Sequence, residues 1–246
     1  MPRRRLHIAG TYSAGSTLEI DSDKAHYLTR VLRLRVGDNL SVFDGKGSEF
    51  TATIRDMSKS GATIRIEEEI VTETETALRV HLVQGISRGE RMDFVVQKAT
   101  ELGVKRITPV LTEYGVVKLD AKRAEKRRNH WQNVAASACE QSGRVRLPLI
   151  DIPLPLKSWF GNKPGQVDAE LVLKPGAVTP LTQIDPPETK VCVLIGPEGG
   201  FSDVEFEDAE VAGFRSVSLG PRVLRTETAA IATLAVLQSK WGDLRR

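Results

Sequence analysis

From Arg79 onward, short apolar runs that do not alternate with polar residues are separated by stretches of helical spacing. Arg79 to Gln84 reads as a strand. Glu90 to Leu102 carries Met92, Val95, Val96, Ala99 and Leu102 at helical intervals and stops at Gly103. Val104 to Val110 returns as a strand, and Ala121 to Gln141 is a long helix with Trp131, Val134, Ala135 and Ala138 on one face, ending at Gly143. Leu171–Leu173, Val191–Ile195 and Ser216–Leu219 are further strands. Ser202 with Glu205 three residues later is a capping box, which starts a helix over Asp203–Ala212 that Gly213 ends. Glu227 to Trp241 is the last helix. Strands without alternation are buried on both faces, so this half is expected to be an α/β fold with a parallel sheet between helices.

The first part of the chain follows another grammar. Asn39–Phe43 runs into Asp44-Gly45-Lys46-Gly47, Glu49–Arg55 alternates out again, and Ser60-Gly61 turns into Ala62–Ile66. Asp23–Val31 reads as a short helix. Gly45-Lys46-Gly47 is no dinucleotide motif, since Phe50 stands where a third glycine belongs and no helix follows. Residues 1–72 are expected to form a small β-barrel-like domain and 73–246 a second domain, with the polar stretch Val71–Thr76 joining them.

Charge narrows the partners. The net charge is only +3, yet cations cluster at Arg3, Arg4 and Arg5, at Arg30, Arg33 and Arg35, and at Lys122, Arg123, Lys126, Arg127 and Arg128. One cluster is a solvated face; three in a nearly neutral chain point to a polyanion such as RNA. Four scattered histidines give no metal-ligand spacing, so no metal is expected. No apolar run reaches membrane length, and the opening MPRRRLHI lacks the apolar stretch of a secretion signal. Cys139 and Cys192 sit in apolar patterns and read as buried free thiols, which suits a cytoplasmic location.

Three strand ends carry glycine and proline: Leu173-Lys174-Pro175-Gly176, Ile195-Gly196-Pro197-Glu198-Gly199-Gly200, and Leu219-Gly220-Pro221-Arg222-Val223-Leu224-Arg225. In open parallel sheets ligands bind beyond the carboxyl ends of the strands. Glycine admits a ligand close to the backbone, and proline holds the loop's shape beforehand. No Lys-Ser/Thr follows these glycines, so they suit a purine edge and ribose better than a triphosphate.

The second and third loops, extended to Leu194–Ser202 and Leu219–Ala230, resemble the signature motifs of the SPOUT methyltransferases, and more narrowly those of the RsmE family. Glu140-Gln141-Ser142-Gly143-Arg144 is similar to that family's middle motif, and Gln97–Gly103 to its earlier helix. The resemblance spans nearly the whole chain, except for 147–167. It implies a C-terminal SPOUT domain with a deep trefoil knot, an N-terminal PUA-like RNA-binding domain, and a homodimer. It implies S-adenosylmethionine as cofactor, held by Leu173, Ile195, Gly196, Glu198, Gly199, Gly200, Leu219, Gly220, Leu224 and Arg225. The implied reaction is methylation of uridine N3 in 16S ribosomal RNA of the small ribosomal subunit. Glu198 is expected to support the loop.

Methylating an imide nitrogen requires stabilising its deprotonated form. Arg225, always charged, is the candidate for that role. Glu227 is placed to accept a proton, to pair with Arg225, or to stabilise a helix N-terminus; Thr228, to cap or to donate to the base. Arg3, Arg4, Arg5, Arg30, Arg33, Arg88 and Arg144 are the candidate RNA contacts, with Arg91 beside Arg88, and Glu140 shapes the substrate side. The alternatives are a SPOUT enzyme acting on another RNA or atom, and a non-catalytic RNA-binding assembly factor. A Rossmann-type enzyme would need an early glycine motif, which is absent.

Overall fold

The computed structural model describes residues 4–165, 167–185 and 187–245. The chain forms two compact units. One comprises the chain up to Glu75 with Cys139–Leu147; the other comprises Thr76–Ala138 and Pro148 onward.

The first unit is a curled five-stranded sheet with one helix. Its strands are β1 (Arg5–His7), β2 (Thr17–Asp21), β3 (Asn39–Phe43), β4 (Glu49–Met57) and β5 (Gly61–Ile70), in the order β1-β3-β4-β5-β2. Alternation decides the faces: Ala52 and Ile54 of β4 and Ala62, Ile64 and Ile66 of β5 are buried together with Leu40 and Val42 of β3. The β3–β4 turn is held by Asp44, whose Oδ1 accepts from the N–H groups of Lys46, Gly47 and Ser48 at 2.7, 2.9 and 3.0 Å. Helix α1 (Ser22–Arg30) starts on Asp21, whose side chain accepts from the Lys24 N–H, and buries Ala25 and Leu28.

Two arginines expected at an RNA surface lie in the interior of this unit. Arg5 pairs with Glu49 at 2.8 Å and also donates to the carbonyls of Cys139 and Arg144. Arg144, 3% exposed, pairs with Glu75 at 3.0 Å, and the Thr74 hydroxyl donates to the Gly143 carbonyl at 2.9 Å. Buried charges persist only when paired and hydrogen-bonded, so these side chains hold strand β1 and the 139–147 segment together. They are not available to phosphates.

The second unit is a parallel sheet. Strands β6 (Arg79–Gly85), β7 (Arg106–Leu111), β8 (Leu149–Ile150), β10 (Ala169–Leu173), β11 (Lys190–Ile195) and β12 (Arg215–Val217) run in the order β12-β10-β11-β6-β7-β8, and the short β9 (Leu154–Pro155) also pairs with β7. Successive residues go to opposite faces. Leu82, Leu171 and Val193 pack with α2 (Arg91–Glu101), α6 (Thr226–Trp241) and Trp131 of α3 (Ala121–Ser142). Val83, Val172 and Leu194 pack with α4 (Leu156–Gly161) and with Ala209 of α5 (Asp203–Val211). This is the α/β layering expected from the runs. The capping box is present: Ser202 Oγ accepts from the Glu205 N–H, and the Glu205 carboxylate accepts from the Ser202 N–H. The last strand is shorter than expected, because Ser218 makes only an isolated bridge to Pro180 and Leu219 already belongs to a loop. Both cysteines are buried free thiols, and burial pushes the Cys139 thiol up to about 11.

A polar chain crosses the sheet. Thr108 donates to Asp151, so its oxygen accepts from His81 Nε2 at 2.7 Å, while Arg106 pairs with Asp151. Burial, aided by the nearby Arg106 charge, holds the His81 imidazole down at about 4, against an ordinary 6.5. The unfolded chain gains this proton near pH 6.5 and the folded chain only near pH 4. Stability contributed by neutral His81 is therefore present above pH 6.5 and lost as pH falls towards 4, by up to about 3 kcal/mol. Denaturant titrations at several pH values should show this loss in the wild type and a flatter profile in His81→Gln. Equal slopes would contradict the assignment.

Candidate functional site

The loops after β10, β11 and β12 converge on one cleft of about 650 Å³. The structure brings together there all ten loop residues named from the sequence: Leu173, Ile195, Gly196, Glu198, Gly199, Gly200, Leu219, Gly220, Leu224 and Arg225. Glu227 lines it too. Thr228 does not; it is exposed on α6.

The cleft exists because backbone approaches backbone closely at its floor. A Cβ on Gly85, at the end of β6, would lie 2.4 Å from Pro197 Cδ and 2.5 Å from Pro197 N. A Cβ on Gly199 would lie 2.9 Å from that of Tyr114, and one on Gly196 would lie 3.1 Å from the Gly200 backbone. The Gly200 N–H closes a turn onto the Pro197 carbonyl at 2.9 Å, and Gly200 takes a φ of 72°, which favours glycine.

Polar side chains lock the same floor. Thr226, the first residue of α6, donates its hydroxyl to the Gly196 carbonyl at 2.6 Å and accepts from Gln84 Nε2 at 2.9 Å. Gln84 is fully buried. The pair fastens the start of α6 to the β11 loop, a link not foreseen from the sequence, since nothing local to Gln84 in β6 points to Thr226. Helix α6 has Arg225 at its N-cap and no side-chain cap, so Thr228 does not cap it.

Glu198 is a loop support. Its Oε1 accepts from Arg91 Nη1 at 2.7 Å and from the Arg88 N–H at 3.1 Å. Partial burial pushes the carboxyl up, but hydrogen bonds from its own N–H, Arg91 and Arg88 outweigh that and hold it below the usual range. Glu227 differs: its Oε2 is buried with no hydrogen-bond partner among the described residues. Arg225 is exposed at the cleft, and no ion pair joins it to Glu227. The cleft therefore offers a free guanidinium and a carboxylate oxygen that lacks a donor. Lys174, Phe206 and Phe201 also line it, Lys174 standing 4.6 Å over the Phe206 ring, and were not anticipated.

Of the expected RNA contacts, Arg4, Arg30 and Arg33 are exposed on the first unit and Arg88 on the second. Arg3 lies outside the described residues. The Glu140 carboxylate accepts from the His7 N–H at 2.9 Å within the first unit.

The described residues contain no group of side chains that could hold a metal ion and no helix long and apolar enough to cross a membrane. The model of a family described as "RNA methyltransferase domain" matches residues 74–238, and one described as "RNA methyltransferase PUA domain" matches residues 20–67. Ribosomal RNA small subunit methyltransferase E of Buchnera aphidicola subsp. Schizaphis graminum is 35% identical, covering 98% of this chain and 97% of its own. A methyltransferase structure from Legionella pneumophila, solved with the bound cofactor SAM, is 39% identical with a TM-score of 0.94, covering 99% and 100% of the two chains. Ribosomal RNA small subunit methyltransferase E from Neisseria gonorrhoeae, bound to S-adenosyl methionine, is 37% identical with a TM-score of 0.91, covering 98% and 99%.

Proposed function

The chain belongs to the RNA methyltransferases of the ribosomal RNA small subunit methyltransferase E family, and from that premise we propose that it methylates N3 of a uridine in 16S ribosomal RNA with S-adenosylmethionine as donor. The observation that carries the reading is the convergence of three glycine- and proline-bearing strand ends on one cleft.

The residues fit the cofactor. Leu173, Ile195, Leu219 and Leu224 give apolar walls to a purine and ribose, and the turns between them expose backbone donors and acceptors. The partnerless Glu227 Oε2 accepts a hydroxyl or ammonium hydrogen without displacing an existing bond. When bound, S-adenosylmethionine supplies an electrophilic methyl group on a sulfonium.

The chain's own residues prepare the nucleophile. Uracil N3 carries a proton and reacts only when that proton is gone, leaving charge spread over N3 and the flanking carbonyl oxygens. Arg225 stabilises that anion from the cleft wall, where its charge cannot be lost. Glu227 accepts the leaving proton or orients the base through Oε2. Thr226 and Gln84 fix where Arg225 and Glu227 stand relative to the β11 loop. The target base leaves its stack to present N3, which lies on the Watson–Crick edge.

A trefoil knot, a homodimer and a cytoplasmic location belong to the same reading. Calorimetric titration with S-adenosylmethionine, followed by nucleoside mass spectrometry of treated small-subunit RNA, tests the whole. Saturable binding and 3-methyluridine are expected; no binding by folded protein would sink the proposal. Arg30→Glu is expected to weaken RNA binding several-fold and leave cofactor affinity unchanged, as for a lost phosphate contact. Equal losses in both would place Arg30 elsewhere in the mechanism.

A further inference from the structure

We propose that one side of helix α3 is a docking surface for the phosphates of the RNA strand that flanks the target nucleotide; this rests on the reading above that the substrate is ribosomal RNA. From Lys118 to Arg128 the chain carries six cations against two carboxylates, a surplus of four where the whole protein has three. Lys122, Arg123, Lys126 and Arg127 are all exposed.

Their placement on the helix is one-sided. With 3.6 residues per turn, Lys122, Arg123, Lys126, Arg127 and His130 fall within about 140° of one another, while Glu125 lies about 60° beyond their edge. Ala124, Trp131 and Ala135 mark the opposite, buried side. The direction of the cationic side is fixed by contacts: His130 Nε2 meets Asp93 Oδ2 at 2.7 Å, and Trp131 Nε1 donates to Asp93 Oδ1 at 2.9 Å. Asp93 is in the first turn of α2, and Arg91, the residue that opens that helix, lines the cleft. Arg127 and Arg123 continue this side about 5 and 10 Å further toward the start of α3. From the other end, Tyr114, packed against the cleft residue Gly199, is seven residues from Ala121, which bounds the separation at about 25 Å. The stripe therefore flanks the Asp93 side of α2, and its start lies within about 25 Å of Tyr114, which packs on the cleft residue Gly199.

Nearby carboxylates do not neutralise it. Asp93 is engaged by His130 and Trp131, and Asp120 caps the helix by accepting from the Arg123 N–H at 2.8 Å while pairing with the Arg123 side chain at 3.4 Å. Glu90 is the exposed N-cap of α2, and Glu125, an i,i+3 neighbour of Lys122 alone among the stripe's cations, makes no ion pair with it. Lys122, Lys126 and Arg127 make no ion pair among the described residues. Unpaired cations in a one-sided row suit a polyanion whose charges repeat along a strand.

The test is filter binding of the whole protein to protein-free small-subunit ribosomal RNA over a range of salt, with the double variant Lys122→Glu, Arg127→Glu. The expected result is an affinity loss of about tenfold or more near 0.1 M salt and a salt slope smaller by about one to two units. The milder Lys122→Gln, Arg127→Gln pair should show the same trend, and Glu125→Gln no loss of affinity. Affinity and slope within twofold of wild type in both cationic variants would overturn the proposal. So would a loss confined to assembled subunits, which would make a ribosomal protein the partner. Cofactor titration of the same samples separates the two ideas: unchanged binding is expected in every variant. A wild type that binds RNA but no S-adenosylmethionine would overturn the methyltransferase reading, while the salt slopes still decide the stripe.

Discussion

Gly85→Ala should reduce S-adenosylmethionine affinity by about a hundredfold or more, although Gly85 itself does not line the cleft. The added methyl would lie 2.4 Å from Pro197 Cδ and 2.5 Å from Pro197 N, separations no real packing tolerates. Neither side yields easily. Gly85 is held in the parallel ladder opposite Val110, and Pro197 has a ring-locked φ. The β11 loop must therefore move outward, taking Gly196 and the Thr226 hydrogen bond with it. A loss of two powers of ten corresponds to about 2.7 kcal/mol, well within the cost of overpacking a buried contact. Two further alanines grade the effect. Gly196→Ala meets backbone at 3.1 Å and should cost less than Gly85→Ala. Gly176→Ala has open space around it and only an unfavourable φ of 76° to bear, so about 1–2 kcal/mol of local strain is expected and little change in binding. Calorimetry with a thermal melt on each variant reads both quantities. Wild-type affinity in a folded Gly85→Ala protein would mean that the loop's position does not matter for binding.

The same residue shows why sequence reading stops where it does. The loops after β10, β11 and β12 were legible because glycine and proline cluster at the ends of apolar runs, and the Ser202–Glu205 box because its signal is local. Gly85 closes a strand without any turn chemistry around it, and its reason, Pro197, is 112 residues away. Gln84 is similar: a polar residue late in β6 gains meaning only when Thr226 arrives beside it. Arg5 and Arg144 were read as surface charge because cations usually are. Only tertiary structure supplies Glu49 and Glu75 and takes both inside. In residues 147–167 the elements are two-residue strands and the six-residue α4, too short to show a period. There the sequence offers composition alone, although Leu156 and Trp159 prove to be core.

Arg225→Ala is the substitution expected to cost most in turnover. Its guanidinium lines the cleft, is exposed, and has no carboxylate partner among the described residues to compete for its charge. If it stabilises the uracil anion, its interaction is made more strongly in the transition state than in the bound substrate. The loss should then appear in kcat, by about 10²–10³-fold, with RNA KM and cofactor affinity changed only slightly. A merely structural role would instead lower stability and cofactor affinity together. Arg225→Lys separates charge from shape: a point charge should restore part of kcat, but a planar fork aimed at N3 and an adjacent oxygen has no full substitute. The pH profile adds an independent reading. Without the cation, the bound imide holds its proton to higher pH, so the rate of Arg225→Ala should recover as pH rises while the wild-type rate levels off earlier. Parallel pH profiles with an equal loss at every pH would remove Arg225 from anion stabilisation. Glu227, whose Oε2 has no partner among the described residues, would then be the residue to examine for delivery of the deprotonated base.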